Sequence, residues 1–317
     1  MARIGFVPTG DERLASFRYR ISIPSKALKE RGHSVKLAIE PPSHTDCEFL
    51  IYSKHFNPIH DQQTAEIARR KDIKVVFDVC DNHFQSLNPQ ISGHYKTMCD
   101  IAGIVTCNTE TMQKIILENT GREAKIVDDP YDLDEGKAKF RCDEQPIKVL
   151  WYGHAVNLNT IPLMVQQLAQ IDCPIEVIAL SNAPQPPGRL ENVSVLHHAW
   201  NPEHMNLFLE WCNFVSIPSD TNDPRKITKS HNRVTEGIRS GRFVCAHPLP
   251  SYERYRERYA WVGEDIADGI VWADNHPDEA LEKIRKGQEY IRRFLSPLAI
   301  AEQWEKALGV GPVRIET

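Results

Sequence analysis

Lys229-Ser-His-Asn-Arg-Val-Thr-Glu236 is the stretch of this 317-residue chain with the most chemistry in it. Lys229, Asn232, Arg233 and Glu236 stand at i, i+3, i+4 and i+7, a spacing that puts four side chains on one face of a helix. Two cations, an amide and a carboxylate make a poor core stripe. They suit a phosphorylated sugar, because cations neutralise phosphate oxygens and a carboxylate accepts hydrogen bonds from hydroxyls. Ser230 is placed to cap the helix, with Lys229 just outside and Arg233 in the first turn, where free N–H groups and the helix dipole add positive potential. The polar loop before the stripe carries Arg225 and Lys226. A solvated helix face is the plain alternative. A loop that leaves a strand end, with a buried strand to follow at 243–246, favours a ligand site.

Three further groups stand after apolar runs. Pro8 to Arg20 follows the first run: Thr9 and Gly10 allow close backbone approach, and Arg13, Arg18 and Arg20 can reach anions. In an extended segment Arg18 and Arg20 would point the same way. Val76-Phe-Asp-Val-Cys-Asp-Asn-His-Phe84 ends a strand with Asp78, Asp81 and His83, which suit sugar hydroxyls or a general base. Two carboxylates at this spacing are a weak metal signal, and no metal is expected. Trp151-Tyr-Gly-His154 supplies Gly153, for a turn whose N–H groups face a phosphate, and His154 at the strand's mouth.

The elements that must position these groups alternate. Strands are expected at 4–7, 34–39, 49–52, 74–79, 102–106 and 124–127, and again at 148–152, 175–180, 193–196, 214–217 and 243–246. Helices are expected at 21–31, 65–71, 109–118, 158–171, 203–212, 278–294 and 298–308. Such alternation predicts parallel sheets with helices on both faces. The polar, proline-ended segment 141–146 divides the chain, which gives a domain at 1–142, a second at 143–294 and a final segment at 295–317. A cleft between the domains is the expected site. Residues 252–259 are expected to form a plain exposed helix. The net charge of -5 gives no case for nucleic-acid binding. The eight cysteines have no Cys-x-x-Cys spacing and are expected to be buried and reduced. No apolar run approaches a membrane span, so a cytoplasmic protein is expected, with peripheral contact at the membrane's inner face open through the basic helix around 282–293.

The chain resembles GT-B fold glycosyltransferases, in particular small family 4 enzymes of bacterial polysaccharide clusters. The residues that carry the resemblance are Leu28-Lys-Glu-Arg-Gly-His-Ser-Val35, Val75-Val-Phe-Asp-Val-Cys-Asp81, Cys99-Asp-Ile-Ala-Gly-Ile-Val-Thr-Cys-Asn108, Val127-Asp-Asp-Pro-Tyr-Asp132, Lys229-Ser-His-Asn-Arg233 and Glu236-Gly-Ile-Arg-Ser-Gly-Arg-Phe-Val-Cys-Ala246. The resemblance implies two Rossmann-like domains, an acceptor site in the first and a nucleotide-sugar donor site in the second. It implies that Glu236 binds the nucleotide ribose and that Lys229 and Arg233 face the diphosphate with Gly153 and His154 near it; Arg225, like Lys229 and Arg233, is a candidate to substitute for a cation pair of the family. Asn232 completes the donor set. Thr9, Gly10, Arg18, Arg20 and Asp78 are the acceptor candidates. Catalysis rests on Lys229 and Arg233 at the phosphates, with Asp81, His83 or Asp11 as base if configuration inverts. Retention, with no metal or other cofactor, is the expectation. The donor is a nucleotide sugar and the acceptor a glycan or a lipid-linked hydroxyl. Two features depart from the family: Thr228 stands where its first donor glutamate would be, and 151–160 lacks the usual cation pair. A non-catalytic nucleotide-sugar binder and a sugar-nucleotide epimerase are the alternatives on the same fold.

Overall fold

A computed structural model of the chain describes residues 1–7, 10–37, 46–54, 56–140 and 145–311. They fall into two units, Met1–Asp132 with Ile227–Ser230 and Arg293–Thr317, and Leu133–Lys226 with His231–Arg292.

In the first unit six apolar runs form one sheet: β1 (Arg3–Val7), β2 (Ser34–Leu37), β3 (Phe49–Ser53), β4 (Lys74–Val79), β5 (Ile104–Cys107) and β6 (Lys125–Ile126), in the order β2-β1-β3-β4-β5-β6. Every pairing is parallel. Parallel strands need crossover helices, and these cover both faces, which is why β3 is buried along its whole length. The helix Ile23–Glu30 ends before Gly32, whose φ of 88° only glycine adopts without strain. The last helix, Pro297–Leu308, is capped by Ser296 and packs into this unit. Trp304 meets Phe6 edge-on at 6.0 Å, and the Glu305 carboxylate accepts hydrogen bonds from Arg31 at 2.8 and 2.7 Å and pairs with His33 at 2.9 Å. The Arg31 hydrogen bond, against the opposing effect of burial, holds that carboxyl below the usual glutamate range.

The second sheet comprises β7 (Ile147–Tyr152), β8 (Ile175–Ser181), β9 (Gly188–Leu190), β10 (Val193–Ala199), β11 (Phe214–Ile217), β12 (Phe243–Ala246) and β13 (Trp261–Val262), in the order β13-β12-β11-β7-β8-β10-β9. All pairs are parallel except the short edge hairpin of β9 with β10. The unit begins at Leu133, before the proline-ended segment. Residues 133–140 are fastened to this sheet and its helices. The Phe140 ring packs on Phe214 and Phe243 at 5.4 and 6.0 Å, and Glu135 holds Arg239 at 2.6 Å and Arg292 at 2.7 Å. The close pass requires glycine twice: a Cβ on Gly136 would lie 2.4 Å from the Ser240 oxygen, and one on Gly241 2.3 Å from the Lys137 oxygen.

Among the described residues the helices Pro89–Ile101 and Ile266–Asn275, and the short helical turn Ala15–Phe17, are additional to the sequence expectation. In Pro89–Ile101, exposed Gly93 and buried, polar His94 interrupt the apolar period around Tyr95, Met98 and Cys99. The expected exposed helix at 252–259 is instead a 3-10 turn, Pro250–Tyr255, with Tyr252 and Tyr255 in the core. Of the cysteines, six are buried and Cys173 is half-buried; Cys142 lies outside the described residues. Among the described residues no helix is long and apolar enough to cross a membrane.

Candidate functional site

The helix Asn232–Arg239 lies behind the loop that leaves β11. Val234 and Ile238 are fully buried, and Gly237 lets the helix settle onto the sheet: a Cβ there would meet Val244 at 2.7 Å and Val215 at 3.2 Å. The helix starts later than a Ser230 cap would place it. His231 is the N-cap residue, and its side chain makes no cap hydrogen bond. Lys229 is therefore not on the helical stripe with Asn232, Arg233 and Glu236. It belongs to the first unit, where its ammonium group pairs with Asp81.

Arg233 and Glu236 remain on one face. Arg233 Nη1 is buried and has no hydrogen-bond partner among the described residues. It lies 3.6 Å from where a Gly153 Cβ would stand, at the carboxyl end of β7. From the same strand the Tyr152 hydroxyl donates to the Arg233 carbonyl at 2.6 Å, and burial raises that phenol's pKa so that it keeps its proton. Glu236 is buried and accepts the Leu133 N–H at 3.2 Å. Asn232 is half-buried beside them in sequence.

The turn after β7 does not present a row of free amides. Gly153 N–H donates to the Leu180 carbonyl at 3.0 Å, Ala155 N–H to Asn182 at 2.8 Å and Val156 N–H to His154 Nδ1 at 3.3 Å. The contribution of Gly153 is space in front of the guanidinium, and His154 is an exposed cap of the 3-10 turn Ala155–Thr160. Arg225 is 75 % exposed in a turn on Asp223 at 3.0 Å, whereas Lys226 reaches Asn157 in that 3-10 turn.

The first unit corrects the acceptor candidates. Its first helical turns run through Ala15–Phe17 and a π-turn at Arg18–Ser22, so Arg18 and Arg20 are not in an extended segment. Arg18 pairs with Asp132 at 2.5 Å. Arg20 and Asp78 are in the core, 1 % and 0 % exposed. Arg20 donates to Asp78 at 3.0 and 2.6 Å and to Asp129 at 2.9 Å, and Asp78 also accepts from Ser53 and Thr106, each at 2.8 Å. Burial would raise the Asp78 carboxyl; the charge of Arg20 and these hydrogen bonds take it below its ordinary value. A buried ion pair satisfied on every side is a strut, not a binding surface. Gly10 is exposed with φ 72°, and Thr9 lies outside the described residues.

Asp81 stands just beyond β4, held by Lys54 at 2.6 Å and by Lys229. Burial would raise its carboxyl, but the charges of Lys229 and Lys54 prevail and bring the pKa down to about 2. His83, half-buried against Tyr95, is shifted the other way: burial lowers its pKa, Asp81 opposes, and the two lysines add to the lowering. At neutral pH this pair is an anchored anion and a neutral imidazole. Asp11, exposed, is bound to Arg13. Sequence reasoning missed Lys54 and Tyr152, although both close apolar strands at the carboxyl end, the one signal available for them. Among the described residues no three His, Cys, Asp or Glu side chains are grouped to hold a metal ion.

No protein-family model matches the chain, and no curated protein matches it in sequence. Solved structures do. HepE of Anabaena, crystallised with UDP-glucose, matches with a TM-score of 0.72 at 12 % identity, over 98 % of this chain and 100 % of HepE. Sucrose-phosphate synthase of Thermosynechococcus elongatus matches at 0.67 and 12 % identity, over 98 % of each chain. AviGT4, a glycosyltransferase involved in avilamycin A biosynthesis, matches at 0.57 and 12 % identity, over 97 % of each. At such identities the likeness is one of fold, and it spans both units: the chain has the α/β GT-B fold, two Rossmann-like domains built on predominantly parallel sheets.

Proposed function

We propose that the protein is a glycosyltransferase that moves a sugar from a nucleoside-diphosphate sugar to a hydroxyl of a glycan or lipid-linked acceptor, with the donor on the second unit. The observation that carries this reading is the buried, unpartnered Arg233 Nη1 in front of Gly153. Leaving such a donor unpaired costs about 1–3 kcal/mol. A substrate phosphate oxygen in that space removes the cost and gains a charge-assisted bond. Glu236, on the same helix face, suits the ribose hydroxyls, with Asn232 beside it. The structures of HepE hold UDP-glucose, UDP with glucose, or UDP alone, which makes UDP the first nucleotide to test.

The reaction breaks the bond between the anomeric carbon and the diphosphate oxygen, and the electron pair leaves with the diphosphate. The acceptor oxygen bonds to the anomeric carbon and gives up its proton. Negative charge grows on the phosphate only as the bond breaks, so Arg233 stabilises the transition state more than the bound donor. With retention, the expected course, the departing phosphate takes the acceptor proton. Inversion needs a protein base. His83, neutral at pH 7, suits that role, whereas Asp81, ionised down to about pH 2, is a weak base. No metal is required on either course.

One observation favours a non-catalytic binder: buried Thr228 stands where the resemblance implies a glutamate. A thermal-shift titration with UDP, GDP, CDP, ADP and dTDP, on the wild type and Glu236→Ala, tests the donor reading. One nucleotide should stabilise the wild type and act more weakly on the variant. Stabilisation by none of the five would exclude it. Incubation with the matching nucleotide sugar alone separates the classes: an epimerase converts the sugar, a transferase releases the nucleotide when given water or an acceptor, and a binder does neither.

A further inference from the structure

The N-cap of the helix Asn232–Arg239 does not cap it. The His231 side chain turns inward, 0 % exposed, and its Nδ1 lies 2.8 Å from Thr235 Oγ1 and 3.0 Å from the Tyr255 hydroxyl. Those two hydroxyls are 2.9 Å apart, so the three polar atoms close a triangle. Thr235 is 1 % exposed and Tyr255 0 %. Tyr255 is anchored from outside the helix, at the end of the 3-10 turn Pro250–Tyr255, with its ring edge-on to Tyr259 and Tyr290 at 6.3 and 6.1 Å.

At about 100° per residue, His231 and Thr235 lie nearly opposite Arg233 around the helix. A helical side chain's outer atoms stand about 5–6 Å from the axis, so a rotation of about 10° carries the Arg233 guanidinium about 1 Å. A displacement of that size stretches a hydrogen bond of about 2.9 Å out of range, a loss of about 10- to 100-fold in binding where one group is charged. Apolar packing by Val234 and Ile238 tolerates small rotations, because it is not directional. Two hydrogen-bonding contacts to a fixed tyrosine do not.

We infer that Thr235 and Tyr255, acting through His231, are positioning residues that set the rotation of this helix and so the placement of Arg233 and Glu236. The inference rests on the donor reading above. The test is UDP affinity by calorimetry, below each protein's unfolding temperature, for wild type, Tyr255→Phe, Thr235→Val and Thr235→Ser. Tyr255→Phe and Thr235→Val should each bind UDP at least about tenfold more weakly, while Thr235→Ser, which keeps the hydroxyl, stays within about twofold of wild type. A merely structural role would lower the unfolding temperature and leave UDP affinity of the folded protein unchanged. That result in both hydroxyl-deleted variants overturns the inference alone, and Tyr255→Phe carries the test if Thr235→Val does not fold. If wild type takes up none of the five nucleoside diphosphates, the donor reading falls and this inference with it.

Discussion

Replacing Arg233 by methionine should stabilise the empty protein and weaken its grip on a diphosphate. Methionine keeps an unbranched side chain of similar reach and removes the donor. The wild type carries a buried guanidinium nitrogen without a partner among the described residues, at a cost of about 1–3 kcal/mol, and the substitution removes that cost. The helix is otherwise held by contacts that do not involve the guanidinium: Val234 and Ile238 in the core, and the Tyr152 hydroxyl on the backbone carbonyl of residue 233. The expected net gain is about 1 kcal/mol, which for a unit of this size is about 2–4 °C in unfolding temperature. With a diphosphate present the sign reverses. A hydrogen bond to a charged group contributes about 1.5–3 kcal/mol, so UDP should bind about 10- to 100-fold more weakly. Differential scanning calorimetry without ligand and a UDP titration of the same two proteins give both quantities. A variant less stable than wild type by more than about 1 kcal/mol, yet equal in UDP affinity, would refute the reasoning, because Arg233 would then be a structural residue.

Other expectations follow from the same contacts. Gly153→Ala should fold with little loss, since its Cβ would sit 3.3 Å from the Trp151 ring, but it narrows the space before Arg233 and should weaken UDP binding by about three- to tenfold, read by calorimetry. Arg20→Met should destabilise the first unit by about 3–5 kcal/mol, seen in urea unfolding, because it strands Asp78 and Asp129 as buried charges; an acceptor-binding role alone would leave stability intact. Asp81→Asn should cost about 2 kcal/mol at pH 7, given a pKa of about 2 against the ordinary 3.8. The folded pKa is depressed, so this stability is present above the unfolded value and lost as pH falls through the folded one. The wild-type and variant unfolding curves should therefore converge between about pH 4 and pH 2.

The strands were legible because parallel-sheet strands buried on both faces read as short apolar runs, and 74–79, 214–217 and 243–246 match the structure end for end. The helix Pro89–Ile101 was not, since His94 contributes to its buried face without counting as apolar. At the candidate site the helix periodicity placed Arg233 with Glu236, but it could not show where the helix starts: the cap falls one residue later than Ser230, and Lys229, off the helix, pairs with Asp81 instead. Arg20 and Asp78 looked like ligand groups because charge at a strand end usually faces solvent. Their 58-residue separation in sequence hides that they satisfy each other. The unit boundary at Leu133 depends on Glu135, Gly136 and Phe140 meeting partners about 70 to 160 residues away, which no local pattern records.

The most direct test of the central claim is release of UDP from UDP-glucose, followed by NMR of both the nucleotide and the sugar, for wild type and Arg233→Met. Wild type should release UDP, transfer the glucose to water or an added hydroxyl acceptor, and give a product with the donor's anomeric configuration, and Arg233→Met should lose most of this activity while remaining folded. If UDP-glucose and the corresponding GDP, CDP, ADP and dTDP sugars are all neither bound nor consumed by wild type, the protein is not a nucleotide-sugar transferase and the space before Arg233 belongs to a different anion.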